Sequence, residues 1–417
     1  MEALEEGRYA LDGYRVLDFG WAVAGPVTGH ILADMGAEVI KVESSKWLDG
    51  LRLGRPIIGT DADGGDRGEW PDLQPLFHAY NRGKLSITVN FSIPEGAELI
   101  KKLVRKSDVI IENFSPRVLK KYGLDYESLK LAKPDIVMVS MSGAGQTGPL
   151  NHIVTYAPTV SALSGLSGLI GYEGERPLGI GEPAFADRSA SLFAALAVLA
   201  ALHHRENTGK GQYIDLSQWE TTTCLVGEAI LEYGMNGRIM GPQGNRDVAM
   251  APHGNYPCKG KDKWVSIAVS TENEWQNMCK AMGNPDWTKE DTVSTRLNRL
   301  KNTEKLDQLV SEWTSNHTPN EVMDILQAVG VAAVPVMSIE DQFADPHLNE
   351  RGIYVNIEHP KVGAEIIYGL SWKMSKTPGG IQRPAPLLGE HNDYVLKRIL
   401  ELSEDEITQL SKKGVLD

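Results

Sequence analysis

Between Tyr14 and Glu43 the sequence passes through an apolar segment, a glycine-bearing turn, a periodic stretch and a second apolar segment. That order reads as strand, turn, helix, strand. Apolar runs return at 85–91, 108–114 and 135–141, separated by helical stretches such as 94–106. Strands alternating with helices at this spacing predict an α/β fold with a doubly wound, mostly parallel sheet, and they place ligands at the carboxyl ends of its strands. The segment 47–75, rich in Gly, Asp and Arg, breaks the rhythm and is expected to form an active-site cover.

Further along, 187–206 reads as a long helix stopped by the breaker Asn207-Thr208-Gly209-Lys210-Gly211, with 212–217 as a following strand. The pattern weakens after that. Strand-like 264–269, helix-like 274–282 and a returning strand at 331–337 predict a smaller α+β domain. The tail closes with a charged helix at 392–402 that packs back on the first part. The expected domains are therefore 1–223 and 345–417 for the large one, with 224–344 as the small one between them. A chain of 417 residues, 41% hydrophobic, has apolar material for both cores.

Composition narrows the function. A net charge of −13 repels nucleic-acid phosphates and anionic membranes. The longest apolar run, 192–202, is short for a bilayer span and reads as a buried core helix. The N-terminus is acidic where a targeting segment would be basic. Cys224, Cys258 and Cys279 form no CxxC pair, which suits a reducing compartment and implies no metal.

Several residues invite chemistry. The turn from Gly20 to Pro26 sits between strand and helix, where free N–H groups receive a phosphate or carboxylate. Glu43 closes the second strand where nucleotide-binding folds place an acid on a ribose. Yet glycines at 20, 25 and 29 do not spell GxGxxG, so a dehydrogenase is disfavoured. Asp187 precedes an apolar helix, and its plainest role is an N-cap. A helix N-terminus also favours an ionised carboxylate, which nucleophilic attack requires. His152 offers a group that titrates near neutrality, although a loop histidine with ordinary hydrogen bonds is the simpler reading. Lys101, Lys102, Arg105 and Lys106 read as the solvated face of a helix, and Trp21, Trp47 and Trp70 gain interest only from lying near the expected cleft.

Taken together, seven strings resemble class III CoA-transferases, the family of formyl-CoA and carnitine CoA-transferases. They are Val16-Leu17-Asp18-Phe19 with Ala24-Gly25-Pro26; Leu32-Ala33-Asp34-Met35-Gly36-Ala37-Glu38-Val39-Ile40-Lys41-Val42-Glu43; Asn81-Arg82-Gly83-Lys84-Leu85-Ser86; Ile111-Glu112-Asn113-Phe114-Ser115-Pro116; Ser142-Gly143-Ala144-Gly145-Gln146-Thr147-Gly148-Pro149; Thr208-Gly209-Lys210-Gly211-Gln212; and Pro386-Leu387-Leu388-Gly389-Glu390-His391. The resemblance implies a cytoplasmic enzyme with a Rossmann-like large domain and an inserted small domain. It also implies two chains interlocked like links, as a homodimer or with a homologous subunit. Coenzyme A is then a substrate and no tightly bound cofactor is implied. The family's catalytic aspartate matches Asp187, which would pass through an aspartyl anhydride and an aspartyl-CoA thioester. Its CoA contacts match Ala24, Lys84, Asn113, Phe114 and Lys121.

The sequence departs from the formyl-CoA branch where a glutamine matches Val23, which brings only its backbone N–H to the substrate. Trp21 replaces a histidine, and Arg246-Asp247-Val248-Ala249 replaces a glycine run. These changes point to an acid larger and more apolar than formate or oxalate, aromatic or a substituted dicarboxylate such as benzylsuccinate, with succinyl-CoA a candidate donor. The same family includes 2-methylacyl-CoA racemases, which would use His152 with Asp187. A weakly catalytic subunit supporting a homologous partner is a further alternative, motivated by Val23.

Overall fold

In a computed structural model, which describes residues 9–53, 71–181 and 184–416, the chain divides into two compact units. One takes the described residues of Met1–Ser167, Gly179–Ile239 and Arg351–Asp417; the other takes Gly168–Leu178 and Met240–Glu350. The helix Gly227–Asn236 thus groups with the first unit.

The first unit is organised by six parallel strands, β1 (Arg15–Asp18), β2 (Glu38–Glu43), β3 (Leu85–Thr88), β4 (Val109–Glu112), β5 (Val137–Ser142) and β6 (Tyr213–Ser217), in the order β3-β2-β1-β4-β5-β6. Winding outward in both directions from β1 and β4 opens a crevice outside their carboxyl ends. Strand residues alternate between two cores, as the period of two requires. Val16, Val39, Val109 and Val137 face the helices Ala24–Asp34 and Phe185–Thr208, while Leu17, Ile40, Ile87 and Ile110 face the helices Pro94–Val104 and Tyr126–Ala132.

The long helix starts at Phe185 rather than at residue 187, and it is not buried all round. Ala186, Ala190, Ala194, Val198 and Ala201 pack inward, whereas Leu192 and Leu196 are 57% and 66% exposed. The expected buried core helix is therefore one with small residues inside, which let it approach the sheet closely, and large ones outside. Its length and composition also suffice to cross a bilayer.

The tail carries more than the expected helix. Tyr354–His359 (β10) and Gly363–Tyr368 (β11) form an antiparallel hairpin ahead of the expected closing helix. His78 fastens it to the helix Pro75–Asn81. Its ring stacks on His359 with centroids 4.0 Å apart, and its Nδ1 lies 2.6 Å from Glu365 Oε1. The charged helix expected at 392–402 is present over 392–399, where Tyr394–Ile399 winds as a wide π turn that drives Val395, Leu396 and Ile399 into the core, and Glu404–Lys412 follows as an α-helix. Arg52 closes the ends of the loop at 47–75. It holds Glu43 with Nε and Nη2 at 2.7 and 2.8 Å and Asp72 at 2.9 Å. The rest of the expected cover, with Trp70, lies outside the described residues.

The second unit has its own core. His253–Pro257 (β7), Trp264–Ala268 (β8) and Ala332–Pro335 (β9) make an antiparallel sheet, covered by Trp275, Met278, Leu306, Val310, Val322 and Leu326 from three helices. A Thr271–Glu274 capping box starts the first of those helices.

At the centre of the first unit, Lys84 is fully buried against Asp18, Nζ to Oδ2 at 2.6 Å, with further bonds to Pro26 O and Asn81 Oδ1. Removing the cation leaves Asp18 buried and unpaired, so Lys84→Met is expected to lower urea stability by about 3–5 kcal/mol. The double variant with Asp18→Asn should recover part of that loss.

Candidate active site

The strand β1 ends on Asp18, and the next residues turn sharply at the crevice. The N–H groups of Gly20, Trp21 and Ala22 are bound by Asp18 Oδ1 (2.7 Å), Asn113 Oδ1 (2.8 Å) and Asp49 Oδ1 (3.0 Å). These donors, expected to be free for an anion, are taken by side chains brought from β1, β4 and the loop after β2. The turn is correspondingly tight. A Cβ on Gly25 would stand 2.6 Å from Gly20 Cα, and one on Gly29 would stand 2.7 Å from Asp18 Oδ2. The three glycines that fail to spell a dinucleotide fingerprint thus make room for this turn and for the ion pair beneath it.

Glu43 is likewise engaged, by the Arg52 fork and by Ser86 Oγ at 2.8 Å, so it does not stand where a ribose would meet it. Lys84, expected to touch CoA, is directed inward with all three ammonium protons bonded. Burial pulls it down to about 8 against the pull of Asp18. Its role in this arrangement is to hold the first turn.

Two other expected contacts, Asn113 and Phe114, meet Trp21. Asn113 Nδ2 donates to Trp21 O at 2.9 Å while its Oδ1 accepts from Trp21 N, a two-point clamp, and the Phe114 ring meets Trp21 edge-on at 5.6 Å. Together with Val42, Trp47, Phe91 and Tyr122 these two rings line an aromatic cleft of about 310 Å³. Lys121 is exposed beside the Tyr122 ring, Nζ 5.3 Å from its centroid. Next to Trp21 the chain enters the helix Ala24–Asp34, which Val23 precedes without a side-chain cap; Ala24 is buried.

Asp187 sits in the first turn of Phe185–Thr208. The N-cap is Ala184, without a side-chain hydrogen bond, so Asp187 is the third helical residue and the capping role is corrected. The carboxyl keeps the favourable field of the helix start and is not tied up as a cap. Ser191 Oγ, one turn on, lies 2.8 Å from both Asp187 O and Ala24 O, which couples this turn to the one at Val23 and Ala24. Arg188 turns away, donating to Tyr80 Oη at 2.7 Å.

Burial raises the Asp187 carboxyl to about 6, opposed by the side-chain amide of Gln218. Gln218 opens the helix Gln218–Thr223 directly after β6. Sequence reasoning passed over it, although it stands at the carboxyl end of a strand, where such sheets carry function. Glu112 was also missed. Burial pushes it up to about 7, against bonds from Ser140 and from Phe114 N at 2.8 Å. His152 is exposed between β5 and the helix Ala157–Leu163, and no recorded hydrogen bond among the described residues joins it to Asp187.

Comparison with known proteins fits this geometry. Residues 11–392 match the description of CoA-transferase family III. The chain is 35% identical over 407 residues, 97% of its own length and 92% of the other, to the succinyl-CoA–L-malate CoA-transferase alpha subunit of Chloroflexus aurantiacus. It is 33% identical to the succinate–glutarate CoA-transferase of Agrobacterium fabrum, covering 93% of this chain and 95% of that one. A CAIB/BAIF family protein from Brucella suis superposes with a TM-score of 0.84 at 31% identity, over 94% of this chain and 100% of that one. A doubly wound parallel sheet bearing a half-buried aspartate at a helix start, matched in sequence almost end to end, places this chain in CoA-transferase family III.

Proposed function

We propose that this chain moves CoA from succinyl-CoA to a second dicarboxylic acid, with Asp187 as the nucleophile. The observation that carries the reading is a half-buried carboxyl in the first turn of a long helix, which burial raises to about 6 and which no cation among the described residues perturbs. Such a group is anionic at pH 7 and poorly solvated, as a carboxylate nucleophile needs to be.

The steps balance without an outside reagent. The Asp187 carboxylate adds to the thioester carbonyl, the C–S bond breaks, CoA thiolate leaves and an aspartyl-acyl anhydride forms. Thiolate then attacks the aspartyl carbonyl, which releases the donor acid and leaves an aspartyl-CoA thioester. The acceptor carboxylate attacks that carbonyl, thiolate departs again, and its return to the acceptor's carbonyl frees the new acyl-CoA and Asp187. The aromatic cleft at Trp21 and Phe114 suits the flat base of CoA, with Lys121 at its rim for a phosphate. The large unit, with strands winding both ways from β1, is then Rossmann-like in use as well as in order.

The acceptor class is argued from Val23 and from relatives named for malate, citramalate, glutarate and mesaconate. A branched apolar residue in the first turn favours a larger acid than formate or oxalate. The exposed row Leu192, Phe193, Leu196 and Leu199 supports burial against a second chain, in the interlocked arrangement. That chain is a copy of this one or a homologous subunit, since relatives include both an alpha and a beta subunit. Ordinary CoA turnover requires no tightly bound cofactor in this scheme.

Incubating the purified chain with succinyl-CoA and a panel of acids is expected to give transfer to at least one dicarboxylate, and hydroxylamine trapping followed by mass spectrometry should label Asp187. Use of formate or oxalate alone would defeat the acceptor assignment. Solvent deuterium entering the acyl-CoA with no second acid present would favour a racemase instead.

The raised carboxyl also links activity to stability. The folded chain binds this proton more tightly than the unfolded one, so ionisation costs folding stability; the penalty is absent below about pH 3.8 and complete above about pH 6. Asp187→Asn is therefore expected to abolish transfer yet raise urea stability at pH 8 by about 1–3 kcal/mol, with little gain at pH 4. In the wild type, kcat/KM should fall about tenfold per unit as pH drops below 6.

A further inference from the structure

A helix and the two strands of the hairpin bring His78, His359 and Glu365 together inside the first unit. All three side chains are more than nine-tenths buried. A nitrogen from each ring and a carboxylate oxygen lie within 4.8 Å of one another. Their hydrogen bonding is incomplete. Glu365 Oε2 and His359 Nε2 have no partner among the described residues, where a buried polar atom normally has one.

The protons show what is missing. Asp72 O, 3.0 Å from His78 Nε2, can only accept, so that nitrogen carries a proton. In a neutral ring Nδ1 is then a bare lone pair, and a Glu365 oxygen stands 2.6 Å from it. Two lone pairs that close need a cation between them, either a second proton or a metal ion. A ring whose far nitrogen donates to a backbone carbonyl is also the arrangement by which proteins aim histidine ligands at metals.

We propose that His78 Nδ1, His359 Nε2 and Glu365 bind one zinc ion, which ties the hairpin to the helix Pro75–Asn81. Two imidazoles and one carboxylate favour a borderline transition ion over calcium or magnesium, which take oxygen ligands. Zinc accepts three such ligands with water in the fourth position. Zn–N and Zn–O bonds of about 2.0–2.2 Å set neighbouring ligand atoms about 3.3 Å apart, so the donors must draw together. The two rings, now stacked 23° from parallel, tilt toward the ion. The ion takes the place of the proton between His78 and Glu365. On His359 the ring proton moves to Nδ1, which gives up the bond from Lys361 N at 3.2 Å, while Nε2 gains the partner it lacks. The expectation of no metal came from cysteine spacing, and this set holds no cysteine; two of its members stand 287 positions apart. None of the three lies on the helix that carries Asp187, so the site does not depend on the transfer mechanism.

Isothermal titration of zinc into the chelator-stripped full chain is expected to show one site per chain, and zinc should raise the Tm. Cobalt in its place should give the visible absorption of a four-coordinate ion. His359→Phe keeps the ring stack and removes the nitrogen, and Glu365→Gln removes the charge. Loss of a ligand weakens a site at least as much as loss of an outer partner, so each variant should bind zinc about tenfold to a hundredfold more weakly, or worse. A wild-type chain that takes up no stoichiometric zinc overturns the proposal. So do variants that bind as tightly as wild type, because the ion then sits elsewhere. Should both variants prove unfolded by circular dichroism, X-ray absorption at the zinc edge decides on the wild-type chain: two imidazoles and oxygen at about 2.0–2.2 Å are expected, and a shell with fewer imidazoles or with sulfur rejects the site.

Discussion

The buried pair of Asp18 and Lys84 sets the geometry of the first unit's crevice. Two opposite charges with no exposure are tolerable only when every remaining proton and lone pair is met, and here Lys84 bonds Pro26 O and Asn81 as well as Asp18, whose second oxygen receives Gly20 N. The pair joins the end of β1 to the start of β3 and pulls the intervening turn into contact with both. Gly29 is demanded by it, because a methyl group there would press on the carboxylate and the ammonium together. Asn113 and Asp49 then fasten Trp21 and Ala22, so the loop that opens the site is rigid before any substrate arrives. A pre-set loop suits the proposed reaction, since this wall of the site need not reorganise at each step.

A second constraint comes from the long helix. Alanines on its inner face let it lie close to the sheet, and that closeness allows Ser191 to reach Ala24 O and bring the Asp187 turn to the first turn. The same packing half-buries a carboxyl that would be better solvated elsewhere. In the proposed mechanism that local instability is exchanged for reactivity. The large residues of that helix are left on the outside, where a single chain gives them nothing to cover.

Much of this was readable from residues. The βαβ alternation indicated the parallel sheet, and β1 to β6, β8 and β9 fall within or against their expected segments. Asp187 stood out by its place before an alanine-rich helix. Less legible were the groups whose partners lie far along the chain. Nothing near Glu43 announces that Arg52 will cover it, and nothing near Lys84 announces that Asp18, 66 positions earlier, will draw it inward. The strands of the hairpin β10–β11 alternate in exposure, but that they pair with each other is decided by the turn between them and by His78, far earlier in the chain. Gln218 was invisible for a similar reason: a glutamine after a strand carries no motif until the fold sets a carboxyl in front of it.

What the sequence determined by itself was therefore the kind of sheet and the long helix, because these depend on periodicity and on local order along the chain, while the resemblance to a family singled out Asp187 as the carboxyl proposed to react. What only the tertiary structure decided was which polar groups remain available to a ligand. Availability is settled by pairing, and a buried charge or amide takes whichever partner the packed sheet brings within hydrogen-bond reach, however distant in sequence. That is why Lys84 became a strut beneath the turn, and why an amide beside Asp187 came from the far edge of the sheet.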